Sequence, residues 1–168
     1  MALTKQKKTE LLAAMKDRLA GAKSIAFVSF NALTVADDKD LRRKLRAEKV
    51  GYFVSKKTLA KRVIGDLKAK GDMPELPGEL AIAYSDDLIA PAREVYAFQK
   101  APREKGTVTI VGGIFDGAFK SKEEMMSIAT IPSLQVLRGQ FVNLINSPIQ
   151  RFAIVVEEIR KSKEAQGA

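Results

Sequence analysis

Histidine and cysteine do not occur among the 168 residues. Their absence removes the commonest general base, the commonest metal ligands and the thiol nucleophile, and disulfides with them. Carboxylates and lysines remain. The pairs Asp86–Asp87 and Glu123–Glu124 stand where helices are predicted to start, and negative charge there complements the helix dipole. Capping therefore accounts for them without catalysis or a metal. Gly112, Gly113 and Gly117 miss the dinucleotide-binding spacing, and the chain contains no GKS or GKT phosphate loop. A bulge or a close backbone approach within a strand explains the glycine pair. No enzyme, no cofactor, no metal and no small-molecule substrate are expected.

The residues that do form a pattern are cations. The formal charge is +9, and it is unevenly spread. Residues 1–70 hold 18 Lys/Arg against 7 Asp/Glu, residues 71–130 hold 6 against 10, and residues 131–168 hold 5 against 3. A basic first portion on a mildly acidic body predicts that one face meets a polyanion. Three successive elements supply it: Lys5, Lys7 and Lys8 on a first helix, Arg42 and Arg43 on a second, and Lys56, Lys57, Lys61 and Arg62 at and after the start of a third. Lysines at a helix start oppose the dipole unless an anion arrives, and a helix N-terminus is itself an anion site. The aromatics Phe27, Phe30, Tyr52 and Phe53 fall within predicted strands and read as core. The expected ligand is therefore a folded RNA met through its backbone and shape rather than single strands held by stacking.

A second pattern occupies the tail, Ile131–Ala168. Leu134, Leu137, Phe141, Ile145, Ile149, Phe152, Val156 and Ile159 recur in steps of three and four, one stripe of a helix. Val136, Val142, Leu144, Ile154 and Val155 widen it. At roughly 1.5–3 kcal/mol per buried side chain, leaving this surface wet forfeits tens of kcal/mol, so the tail is expected to dock partner proteins. Ser147-Pro148-Ile149-Gln150 reads as a capping box with proline at the first helical position, which predicts two helical segments broken near Pro148.

The elements that must position these groups follow from periodicity and punctuation. A helix is expected over Thr4–Ala20, with Leu11, Leu12, Met15 and Leu19 inward and Gly21 ending it. A buried strand follows at Ser24–Phe30, then a helix from Val35 to about Glu48 with Thr34 as N-cap. Strand Tyr52–Ser55 runs into the third basic helix, and residues 69–78 are loop. Further strands are expected at Leu80–Ser85 and Thr107–Phe115, around a helix with Asp86 and Asp87 at its start and Pro91 in its first turn. An Asp116-Gly117 turn and a short helix opened by the Ser121–Glu124 capping box come next. Strands separated by helices predict an α/β layered domain over 1–130, a mixed sheet of about four strands with flanking helices, followed by the helical tail 131–168. No apolar run approaches the ~20 residues that cross a bilayer. The start MALTKQKKTELL does not read as a signal peptide, so no membrane and a cytoplasmic setting are expected.

The stretch LTVADDKDLRRKLRAEKVGYFVSKKTLAKRV resembles the signature of the bacterial large-subunit ribosomal protein L-ten family, the ribosomal stalk-base protein. LPGELAIAYSDD, the GGIFDG turn and IATIPS match later landmarks of that family in order, so the resemblance spans essentially the whole chain. It departs at Lys57, where the family usually has asparagine, and at Glu79, where it usually has proline. The resemblance implies that the first domain binds large-subunit rRNA at the stalk base, beside ribosomal protein L-eleven. It associates the motif around Lys57 and Thr58 with rRNA contact. It further implies that Leu134, Leu137, Phe141, Leu144, Ile145, Ile149, Phe152, Val156 and Ile159 seat dimers of the acidic stalk protein L-seven/L-twelve, expected to number two, which recruits the translational GTPases. The competing reading is a translational regulator that binds its own mRNA leader outside the ribosome.

Overall fold

A computed structural model describes residues 5–67, 69–101 and 106–165. Strand β1 (Ser24–Asn31) has its first five residues buried, because it carries apolar side chains on both faces and a layer of helices covers each. Ile25 and Phe27 point into one core cluster, and Ala26 and Val28 into the other. On the Phe27 side pack α1 (Lys5–Ala20) through Met15 and Leu19, and α3 (Lys57–Asp66) through Ala60, Val63 and Ile64. On the Val28 side pack α2 (Val35–Ala47) through Leu41 and Leu45, α4 (Ala90–Lys100) through Val95 and Phe98, and α5 (Lys122–Ala129) through Met125 and Ala129.

The sheet adds β2 (Gly51–Ser55), β3 (Glu79–Ser85), β4 (Thr107–Phe115) and β5 (Ala118–Lys120), in the order β2-β3-β1-β4-β5. The layered α/β architecture with flanking helices is as expected, but the sheet has five strands and every ladder is antiparallel. The expectation of a mixed sheet came from strands alternating with helices, which leaves the strand order open. Strands β1 and β2 are joined by α2 but are not neighbours. They do run in the same direction, but β3 lies between them and opposes both. The fifth strand is only three residues long and follows the Asp116-Gly117 turn, whose φ values of 48° and 73° are those of a tight hairpin.

The glycine pair has the structural role read from the sequence. Pairing with β1 slips between Phe27 and Val28: Phe27 faces Gly112 while Val28 faces Ile110, leaving Val111 as the extra residue of a bulge. One extra residue turns every later side chain to the other face. Val108 and Ile110 accordingly join the α2–α4–α5 cluster, whereas Ile114 joins the α1–α3 cluster. A Cβ on Gly113 would stand 2.5 Å from the Ile25 carbonyl oxygen and 2.6 Å from Met125 Cε.

The helix ends match the capping chemistry in two cases and not in a third. Thr34 Oγ1 accepts from the Asp37 amide, and Ser121 and Glu124 form the reciprocal capping box. Asp86 and Asp87 do not cap α4. Its N-cap is Ile89, whose amide donates to Asp87 Oδ1 inside the preceding turn. Leu11, expected inward on α1, is exposed.

The contact pattern divides the chain into Met1–Ile131 and Pro132–Ala168. The second unit is a single helix, α6 (Leu134–Ala165), which runs through Pro148 without interruption. The break read from Ser147-Pro148 is therefore not present. Proline at 148 deletes the amide that would bond the Leu144 carbonyl, and the Ser147 hydroxyl donates to that carbonyl at 2.8 Å instead. Serine here bonds backward as a substitute rung, where a cap would have accepted from an amide ahead of it.

Replacing Gly113 by valine is expected to destabilise the domain by roughly 1–3 kcal/mol, read as a lowered thermal midpoint. An unchanged midpoint would show that the close approach of β4, β1 and Met125 is not a packing constraint.

Candidate functional site

The start of α3 sets two adjacent lysines on a helix terminus that has no side-chain cap. Lys56 occupies the N-cap with extended backbone and offers no side-chain acceptor, and the first turn contains no acid. The first turn therefore has no side-chain capping oxygen, and two ammonium groups add to the positive end of the helix. The chain enters from β2, the outer strand of the sheet, and Val54, Ser55, Lys56, Lys57 and Thr58 line a shallow depression with Gly78, Glu79 and Leu80. The second wall is fixed by Gly78, whose φ is 66°, and by the Ser29 hydroxyl donating to the Pro77 carbonyl. Ser55 Oγ is buried there with no hydrogen-bond partner. Lys57 and Glu79 line this same depression and carry opposite charges.

The remaining cations do not share one surface. Lys61 and Arg62 are exposed and line a groove between α1 and α3, together with Thr9, Leu12 and Lys16. Lys16 bridges the two helices by pairing with Asp66. Lys7 and Lys8 are exposed on α1, and the side chain of Lys5 lies outside the described residues. Arg42 and Arg43 belong to α2, across the sheet from α1 and α3. Both are already satisfied: Arg42 pairs with Asp38 at 2.8 Å and stacks over the Tyr52 ring at 4.9 Å, and Arg43 pairs with Asp40 at 3.0 Å. Asp38 and Asp40, near the start of α2, thus neutralise the arginines one turn on. Sequence periodicity showed both charges pointing outward but not that they meet. The sequence alone did not place Gly78 or Glu79 beside Lys57, because only the β2–β3 pairing brings that loop to α3.

The second candidate surface is α6. All nine of its expected docking residues are exposed, from 38% at Leu137 to 72% at Phe152. Of the exposed large apolar residues in the described chain only Leu11, Val35 and Val54 lie outside α6. Charged residues crowd its last turns, where Arg160 pairs with both Glu157 and Glu164. Residues 134–150 contain one charge, Arg138. No helix of the described residues is long and apolar enough to cross a membrane, and no group of three or more potential metal ligands is found among them.

The family model described as ribosomal protein L10 matches residues 3–100. The large ribosomal subunit protein uL10 of Shouchella clausii is 32% identical over 164 residues, covering 97% of this chain and 97% of that relative. The chain belongs to the ribosomal protein L10 family. As the family's description states, it is a ribosomal protein, and its relative is a component of the large subunit.

Tyr52, beneath Arg42, has its pKa pushed up to about 12, chiefly by burial, with Asp38 adding to the rise and Arg42 opposing it. Unfolded, the phenol titrates near ~10, so between about pH 10 and 12 the unfolded chain sheds a proton that the folded chain retains. Stability should therefore fall as pH rises through that window. Tyr52→Phe is expected to remove this component, visible as a smaller loss of denaturation midpoint than in the unaltered protein. Identical alkaline profiles would show that Tyr52 is not desolvated.

Proposed function

We propose that this protein is an architectural constituent of the large ribosomal subunit, with its first domain on rRNA at the stalk base and α6 anchoring the stalk. The domain meets the RNA backbone through the uncapped α3 start, with Lys56, Lys57 and Thr58, and through Lys61 and Arg62 beside α1. Lys5, Lys7 and Lys8 extend that contact, and ribosomal protein L-eleven is the neighbour on the RNA. Arg42 and Arg43, already paired on the other layer, act first as internal ties. One observation carries the division of labour: exposed apolar bulk is concentrated in α6, whereas Lys7, Lys8, Lys56, Lys57, Lys61 and Arg62 on α1 and at α3 take part in none of the ion pairs among the described residues.

Dimers of the acidic stalk protein L-seven/L-twelve are the proposed occupants of α6. Two are proposed, because apolar residues flank Pro148 on both sides, Leu134–Ile145 and Ile149–Ile159, along a rod of ~48 Å at 1.5 Å per residue. The covering of α6 by partner side chains supplies the burial that its own chain does not. The bound dimers in turn recruit the translational GTPases, so hydrolysis belongs to those factors.

Removing residues 132–168 is expected to leave rRNA binding intact and to abolish stalk-protein binding. Native mass spectrometry of the full-length complex should find two dimers. Simultaneous loss of both activities on truncation would refute the two-module division, and one dimer or three would refute the count. Neutralising Lys56, Lys57 and Arg62 to glutamine should weaken rRNA binding and lower its salt slope by up to about three. An unchanged slope would move the RNA face off α3.

A further inference from the structure

A second depression lies at the opposite end of the β2–β3 ladder. There the C-terminal ends of α1 and α2 meet the beginning of β2, and Arg18, Arg46 and Lys49 line the space, with Asp17 and Asp86 among its walls. The ladder fixes the separation. Ser55 pairs with Leu80 at the α3 depression and Gly51 with Tyr84 at this one. The four residue steps from Gly51 to Ser55, at ~3.3 Å each, place the two about 13 Å apart.

Arg18 and Arg46 have an ordinary explanation, since each sits in the last turn of its helix, where cations complement the dipole. Arg18 also lies over the Phe53 ring. Lys49 has no such explanation. It follows the C-cap Glu48 with φ of 56°, a conformation in which glycine is unstrained and lysine is not. Its amide donates to the Arg46 carbonyl and its carbonyl accepts from the Ser85 hydroxyl, bonds that glycine would make equally well. Its side chain is exposed and takes part in none of the ion pairs among the described residues. Everything the fold needs at this position is backbone, yet the position carries strain and an unpaired ammonium. A strained residue of that kind is accounted for by what its side chain meets.

We propose that this depression is a second seat for an RNA phosphate backbone, with Lys49 making the contact and Arg46 and Arg18 supplying the field. The RNA is then held at both ends of the β2–β3 ladder. The proposal rests on the rRNA reading above. Asp17 and Asp86 keep the net charge of the rim low, so a free small anion is held weakly. A polyanion already tethered at α3 presents its next phosphates at high effective concentration and needs only a modest second contact.

The test uses the full-length protein and deproteinised large-subunit rRNA, with affinity measured across a salt series and melting followed in parallel. Lys49→Gly is expected to raise the melting temperature by relieving the backbone strain, while weakening binding and lowering the salt slope by about one. Lys49→Arg should retain the binding of the unaltered protein. An unchanged slope in Lys49→Gly overturns the second seat, and a lowered melting temperature overturns the strain argument beneath it. A double variant, Lys56→Gln with Lys57→Gln, separates the two levels. If it lowers the slope and Lys49→Gly does not, only the second seat fails. If neither does, the RNA reading fails with it.

Discussion

Burial of β1 on both faces sets the terms for the first domain. A strand with Ile25 and Phe27 on one side and Ala26 and Val28 on the other needs helices above and below, because apolar surface left in water costs about 25 cal/mol per Å². The small side chains at Ala26, Ala81 and Ala83 face one layer, while Phe27, Leu80 and Ile82 fill the other. This asymmetry leaves room for three helices on the alanine side and two on the opposite side. The bulge at Val111 lets β4 serve both layers, contributing to one core before the slip and to the other after it. The basic helices α1 and α3 share one layer and α2 belongs to the other, so the fold distributes the positive charge that composition alone concentrates.

That distribution separates two kinds of cation. In α2 Arg42 and Arg43 each find an aspartate within the same helix, so their charge is largely spent inside the protein before any ligand arrives. At the α3 start no carboxylate pairs with Lys56 or Lys57 within ion-pair distance among the described residues, and the helix dipole adds to their field. Exposed ion pairs contribute little to stability, but they do remove a charge from the surface available to a polyanion. Outward direction on a helical wheel is therefore a poor guide to a binding cation unless its neighbours three and four residues away are read with it.

Local chemistry was legible in the sequence wherever one short segment decided the outcome. The Thr34 cap, the Ser121–Glu124 box and the Asp116-Gly117 turn all rest on residues within a few positions of each other. The layered domain and the apolar helix followed from periodicity. What could not be read depends on pairing across the chain: β3 inserting between β1 and β2, and the Pro77–Glu79 turn arriving beside Lys57. Ser147-Pro148 failed for a different reason. The same dipeptide satisfies a helix start and a repaired helix interior, and only the direction of the serine hydroxyl distinguishes them. The Lys49 site was invisible because its signal is a backbone torsion.

A peptide rung couples the turn above it to the turn below, whereas a serine hydroxyl couples only a side chain to its own turn. At residues 144–148 α6 is continuous in outline yet has one rung fewer through which order can propagate. Unwinding that begins at either end meets a weak joint midway, and grip exerted on one half is transmitted imperfectly to the other. By shape the tail is one rod. By thermodynamics it is nearer to two lengths spliced on a common axis, and disorder in one length need not spread to the other.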